Sequence, residues 1–137
     1  MMMTVMAARG TVVEQISRGR ARKRLERRLQ ELRLEIERGS EEVRALTESQ
    51  ADEFVSQHPA DLGTAVYLVE SALSTRETLQ RELALVEDAL RRIEGGTYGI
   101  CVDCRRRIAP ERLEVLPYAP RCIDCARTFE RAQRRRQ

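Results

Sequence analysis

The sequence predicts a mainly α protein: a long antiparallel helical hairpin followed by a small cysteine-rich module. Three observations predict it. Leucine, valine and isoleucine recur at alternating steps of three and four over two long stretches. Aromatic residues make up only 4% of the chain against 34% charged residues, so wide ring-filled cores are excluded and narrow aliphatic seams are favoured. Pro59 falls between the two stretches and Gly95–Gly96 close the second.

The first helical stretch runs from about Arg20 to Leu46. Leu25, Leu29, Leu32, Ile36, Val43 and Leu46 form a heptad seam, and Gly39 occupies a seam position where leucine would be expected. A glycine inside a helix costs about 1 kcal/mol relative to alanine. Gly39 is therefore read as a kink, a close approach of the partner backbone, or a break at Gly39–Ser40. The residues before it, 1–19, read as a disordered or loosely helical tail. Their opening, "MMMTVMAARG", has neither the basic region nor the cleavage pattern of a signal peptide.

The second helix starts near Asp61, whose carboxylate suits an N-cap or first turn, and ends at Glu94 before Gly95–Gly96. Its seam is Val69, Ala72, Leu79, Leu83, Val86, Leu90 and Ile93, interrupted by Arg76, which either snorkels outward or pairs with an acid of the first helix. Neither helix can bury its stripe alone, so the two are expected to pair antiparallel over residues 20–94. The joining segment, with its tip at about 47–63, is longer than the roughly two to eight residues usual between packed helices. Either the tip is built to touch a partner, or residues 48–57 simply prolong the first helix.

Residues 95–137 form the third region. "CVDC" at 101–104 and "CIDC" at 122–125 contain all four cysteines of the chain. Two Cys-x-x-Cys pairs at this separation have the spacing of a four-thiolate zinc site, with Cys101, Cys104, Cys122 and Cys125 as ligands. Four thiolates leave no open coordination position, so the single zinc is read as structural. A pair of disulfides is the competing reading, disfavoured without a secretory signal. From Arg105 onward there are ten arginines against four acids, and a second basic cluster, "RGRARKR", lies at 18–24. No stretch approaches the roughly 18 continuous apolar residues of a membrane span, and a cytoplasmic protein is expected.

The run "CVDCRRRIAPERLEVLPYAPRCIDC" resembles the zinc finger of the DksA/TraR family of bacterial transcription regulators. Ile108, Arg112 and Pro117 stand at the intervals of the family signature, "ALRRIEGGTYGIC" is a typical entry into the finger, and Val102 departs from the usual small polar or acidic residue. The resemblance covers roughly residues 50–130. It implies a hairpin, a zinc-bound module and a C-terminal helix. It also implies a monomer that inserts its hairpin into the secondary channel of RNA polymerase, without recognising a DNA sequence, some members acting with ppGpp. Well-known members carry D-x-x-D-x-A at the tip; the matching residues here are His58, Asp61 and Gly63. The stretch "HPADLGT" is similar instead to the tip of a branch found in Gram-positive bacteria. His58, Asp61, Leu62, Gly63 and Thr64 are thus the candidate polymerase-contact residues.

No set of nucleophile, base and second acid converges in the sequence, so a non-enzymatic protein is expected. Two other readings remain: a zinc ribbon that holds nucleic acid through its arginine-rich end, weakly and without sequence preference, and a coiled-coil scaffold whose seams pair between chains.

Overall fold

The computed structural model describes residues 12–53 and 59–137; for 49–53 and 59–62 it describes the helical backbone alone. The element order is α1 (Val12–Glu53), α2 (Pro59–Gly95), α3 (Pro110–Val115) and α4 (Ile123–Arg134). The chain divides into two compact units, one spanning Arg27–Glu87 and one made of the helical ends up to Glu26 and from Asp88 together with everything that follows. The fold is mainly helical, with a helical hairpin, a four-cysteine module and a C-terminal helix.

In the unit Arg27–Glu87 the predicted seams are the buried ones. Leu32 and Val86 are fully buried, Leu29, Ile36, Val43, Leu46, Leu79 and Leu83 are partly buried, and the intervening Arg33, Leu34 and Glu35 are exposed. Leucine and isoleucine at alternating steps of three and four thus line one stripe of each helix, and pairing the stripes removes both from water. A charged cluster reinforces the pairing. Arg28 donates through Nε to Glu82 at 2.7 Å and through a second nitrogen to its other oxygen at 3.0 Å, and it also reaches Glu31 at 3.4 Å and Glu35 at 3.2 Å. The bidentate bond to Glu82 raises the Arg28 pKa above the ordinary arginine range. Arg76, at the interrupted seam position, is exposed, and no acid of α1 pairs with it among the described residues.

Helix α1 passes through Gly39 without a break. A Cβ built at Gly39 meets nothing within 4 Å, so no partner backbone requires a glycine there. Of the three expectations for this position, kink, close approach or break, the break and the close approach are not realised. Gly39→Ala is expected to stabilise the protein by about 0.5–1 kcal/mol, because alanine restores helix propensity without a clash. Chemical denaturation monitored by helical circular dichroism checks this.

The helices are also longer than read from the sequence. Helix α1 starts at Val12 rather than near Arg20 and continues to Glu53, so most of the 48–57 segment prolongs it. Glu48, Gln50, Ala51 and Glu53 are good helix formers, and no glycine or proline interrupts them. Helix α2 starts at Pro59, whose fixed φ and missing N–H suit a first helical position. It stops where Gly96 turns left-handed at φ 76 and the N–H groups of Thr97 and Tyr98 both return to the Arg92 carbonyl, at 2.9 and 3.1 Å. Among the described residues no helix is long and apolar enough to cross a membrane.

Candidate metal centre and hairpin tip

The module begins at a tight turn. Gly99, at φ 82, lets the chain reverse into a single antiparallel bridge between Ile100 and Arg107, and the Ile108 N–H donates to the Gly99 carbonyl at 2.8 Å. Between these residues lies the first knuckle: the Cys101 N–H donates to the Arg106 carbonyl at 2.8 Å and the Arg105 N–H to the Cys101 carbonyl at 3.1 Å. The second knuckle is the start of α4, with Cys122 at the N-cap and Cys125 in the first turn. A bond from the Val102 N–H to the Pro120 carbonyl, 3.0 Å, ties one knuckle to the other.

The three signature residues between the pairs each have a structural task. Ile108 is buried, 3% exposed, and with Cys101 and Ala119 makes up the fully enclosed part of the module. Arg112 donates from Nε to the Arg121 carbonyl at 3.0 Å, holding the chain just before Cys122. The Pro117 carbonyl accepts the Tyr98 hydroxyl at 2.8 Å, which fixes the loop after α3 to the turn that enters the finger. Burial pushes the Tyr98 phenol up from its usual range, so it stays a neutral donor at neutral pH. Arg121 adds a bond from Nε to Asp103 at 2.7 Å, between the middle of the first knuckle and the residue before the second. Sequence reading placed Ile108, Arg112 and Pro117 without a reason for them. It missed Tyr98, Asp103 and Arg121, whose partners lie 18 or 19 residues away and leave no periodic signal.

The result is a cluster of four sulfurs, all within 4.8 Å of one another. Cys101 is fully buried, Cys122 and Cys125 are partly buried and Cys104 is exposed. Four sulfurs at about 2.3 Å from a zinc ion stand about 3.8 Å apart along a tetrahedral edge. The Cys104 and Cys122 sulfurs are 3.8 Å apart. That separation is far beyond the roughly 2.05 Å of a disulfide, and all four cysteines are free. The donor set therefore fits zinc. Cys101, Cys104, Cys122 and Cys125 would hold one ion, whose chemistry is a closed structural cross-link.

The thiols show why a cation belongs among them. Burial raises the Cys101 thiol, but backbone N–H groups of Cys104, Cys122 and Asp103 outweigh it and bring the pKa down to about 6. The hydrogen bond with Cys122, followed by burial, pushes Cys125 up to about 12. One corner of the cluster favours a thiolate and another keeps its proton, as expected of four like groups sharing a small volume without a counter-charge. Because zinc takes thiolates, its binding displaces protons and weakens as pH falls.

At the tip, the backbone places Asp61 and Leu62 in the first turn of α2, followed by Gly63 and Thr64, which are exposed. The side chains of Asp61 and Leu62 lie outside the described residues, as does His58 altogether. A Cβ at Gly63 would meet nothing within 4 Å.

Fold and centre together define a class: a helical-hairpin protein stapled by a C4 zinc finger. Residues 96–131 match the prokaryotic dksA/traR C4-type zinc finger. Over 90% of its length the chain is similar in fold to the transcription factor DksA2 of Pseudomonas aeruginosa, with a TM-score of 0.71 and 27% identity, and 90% of that chain is covered. The DksA/TraR resemblance read from the sequence thus holds in the finger and in the fold. Among curated relatives, the chain is 30% identical over 105 residues to General stress protein 16O of Bacillus subtilis, covering 75% of this chain and 64% of that protein. It is 34% identical over 62 residues to the RNA polymerase-binding transcription factor DksA of Caulobacter vibrioides, covering 45% of this chain and 44% of that protein. The matched stretches span less than two thirds of these relatives.

Proposed function

We propose that this chain is a non-enzymatic, cytoplasmic transcription regulator that binds RNA polymerase directly as a monomer. Its hairpin enters the secondary channel and its tip, His58, Asp61, Leu62, Gly63 and Thr64, acts near the polymerase active site without reading DNA sequence. The observation that carries this reading is the fold shared with DksA2 along 90% of the chain. The name of the Caulobacter relative gives the partner.

The chemistry of the distal hairpin supports a protein partner. Residues 41–75 hold seven acids and one arginine, a charge that repels nucleic-acid phosphates. The same stretch exposes Val66, Tyr67, Leu68 and Leu73 on α2, apolar surface that a protein can cover. Zinc closed by four sulfurs has no position for a substrate, which accords with a non-enzymatic role. In place of the acid of well-known relatives, His58 makes this tip less negative, so Asp61 carries the tip's acidic function.

Asp61→Asn separates binding from effect. Single-round transcription from preformed open complexes, run with and without ppGpp, is expected to show that the parent chain changes open-complex lifetime. The variant should lose most of that change, about tenfold or more in the protein concentration required, while still binding polymerase. A variant that acts like the parent would contradict the assigned role of Asp61.

A further inference from the structure

We propose that the finger and α4 form a second, cationic surface that holds the phosphate backbone of a nucleic-acid duplex without sequence preference. Of the ten arginines after Cys104, three are engaged: Arg107 with Glu14, Arg112 with the Arg121 carbonyl, and Arg121 with Asp103. The other seven are exposed and have no carboxylate partner among the described residues.

Two features show that these guanidinium groups are placed at a cost to the fold. Arg105 has φ 62, the left-handed region that glycine occupies freely and a branched-off Cβ does not. A glycine would close the same knuckle without strain, yet the position carries an exposed guanidinium two residues from Asp103. On α4, Arg127, Arg131 and Arg134 fall at successive steps of four and three and so share one stripe, with Arg135 beside it. Arg127 repels Arg131, and Arg131 repels Arg135, each pair four residues apart on the helix. An anion lying along the stripe relieves both repulsions.

The chemistry of this face selects among anions. Ile123 and Phe129 are the only large apolar side chains of α4, so the helix offers little apolar surface for the core of a protein interface. Phosphates need none; they need exposed donors in a row. Phe129, 42% exposed, has the Arg121 guanidinium 4.0 Å over its ring, and Arg121 is itself bound to Asp103 beside the zinc knuckle. This ties the start of α4 to the knuckle, and Arg105 and the stripe lie in the same compact unit. The acidic distal hairpin and this basic module divide the labour: protein contact at one, phosphate contact at the other.

The test uses the full zinc-loaded chain and a labelled random-sequence DNA duplex of about 30 base pairs, followed by fluorescence anisotropy from about 50 to 300 mM salt. The expected result is saturable binding whose logarithm falls linearly with log salt, with a slope of about −4, because each phosphate contact contributes about −0.9. Replacing Arg127, Arg131, Arg134 and Arg135 together by Gln should flatten that slope by about three or more, with zinc content and helicity unchanged. Arg105→Gly should flatten it by about one while raising the thermal midpoint, which separates loss of contact from loss of folding. No saturable binding at the lowest salt, or slopes unchanged in both variants, overturns the proposal. Displacement of the duplex by poly-glutamate at equal charge concentration would assign the face to acidic protein and overturn it equally.

Discussion

Cys101→Ser is expected to abolish stoichiometric zinc binding and unfold the finger, leaving the unit Arg27–Glu87 helical. The reason lies in how little else encloses this module. After Gly96 only Cys101, Ile108 and Ala119 are buried, and one of the three is itself a ligand. Removing apolar surface of that extent from water contributes a few kcal/mol, at about 25 cal/mol per Å². Structural zinc in isolated fingers contributes about 10–16 kcal/mol at neutral pH, so metal and not core holds this module. Serine at position 101 removes the buried thiol whose pKa is drawn down to about 6 and leaves three sulfurs that cannot close a tetrahedron. The expected readings are zinc content falling from one per chain to near zero and rapid proteolysis after residue 96. Helicity should drop only by what α3 and α4 supply. Full protection of the finger without metal would contradict this account.

Leu32→Ala is expected to cost about 2–5 kcal/mol, a large effect for the unit Arg27–Glu87. Leu32 is one of the two fully buried side chains of its unit, the other being Val86, and its removal leaves a gap that two long rods cannot collapse to fill. The Arg28 cluster is a useful contrast. Its bond to Glu82 is short and bidentate, but the side chains remain 32% and 22% exposed. Solvent screening limits such a pair to about 1 kcal/mol. Denaturation midpoints of Leu32→Ala and Arg28→Ala, compared with the parent, are expected to differ in that order. A larger loss for Arg28→Ala would show that the charged cluster and not the aliphatic seam holds the helices.

These two effects mark what the sequence could and could not disclose. The seam was legible because helix geometry repeats at fixed steps, and Leu25, Leu32 and Val86, all seam positions, proved fully buried. The zinc ligands were legible because two Cys-x-x-Cys turns carry their geometry in four residues each. Helix ends were less so. Val12–Gly19 has no leucine seam, and its helix is accompanied by the ion pair between Glu14 and Arg107 at 2.9 Å, a partner 93 residues away. Gly39 admitted a break as one of three readings because its propensity argues against helix, yet some fifteen helix-forming residues on either side outweigh one glycine. Arg105 could not be singled out at all, since backbone handedness leaves no trace in residue type when an arginine stands where glycine is favoured.

The candidate site divides along the same line. Four cysteines, close in sequence and drawn within 4.8 Å, define the metal centre from local pattern alone. The tip depends on what it meets. Asp61 in the first turn of α2 is a good helix-start residue in any protein, and its second task, at the polymerase, belongs to the proposal.

The central claim is direct association with RNA polymerase through the hairpin. Its most direct measurement is binding of the zinc-loaded chain to purified core polymerase at physiological salt, by sedimentation or surface immobilisation, with no DNA present. A saturable one-to-one complex is the predicted result, weakened by Leu32→Ala at temperatures where that variant's hairpin opens. No association at physiological salt would contradict the account.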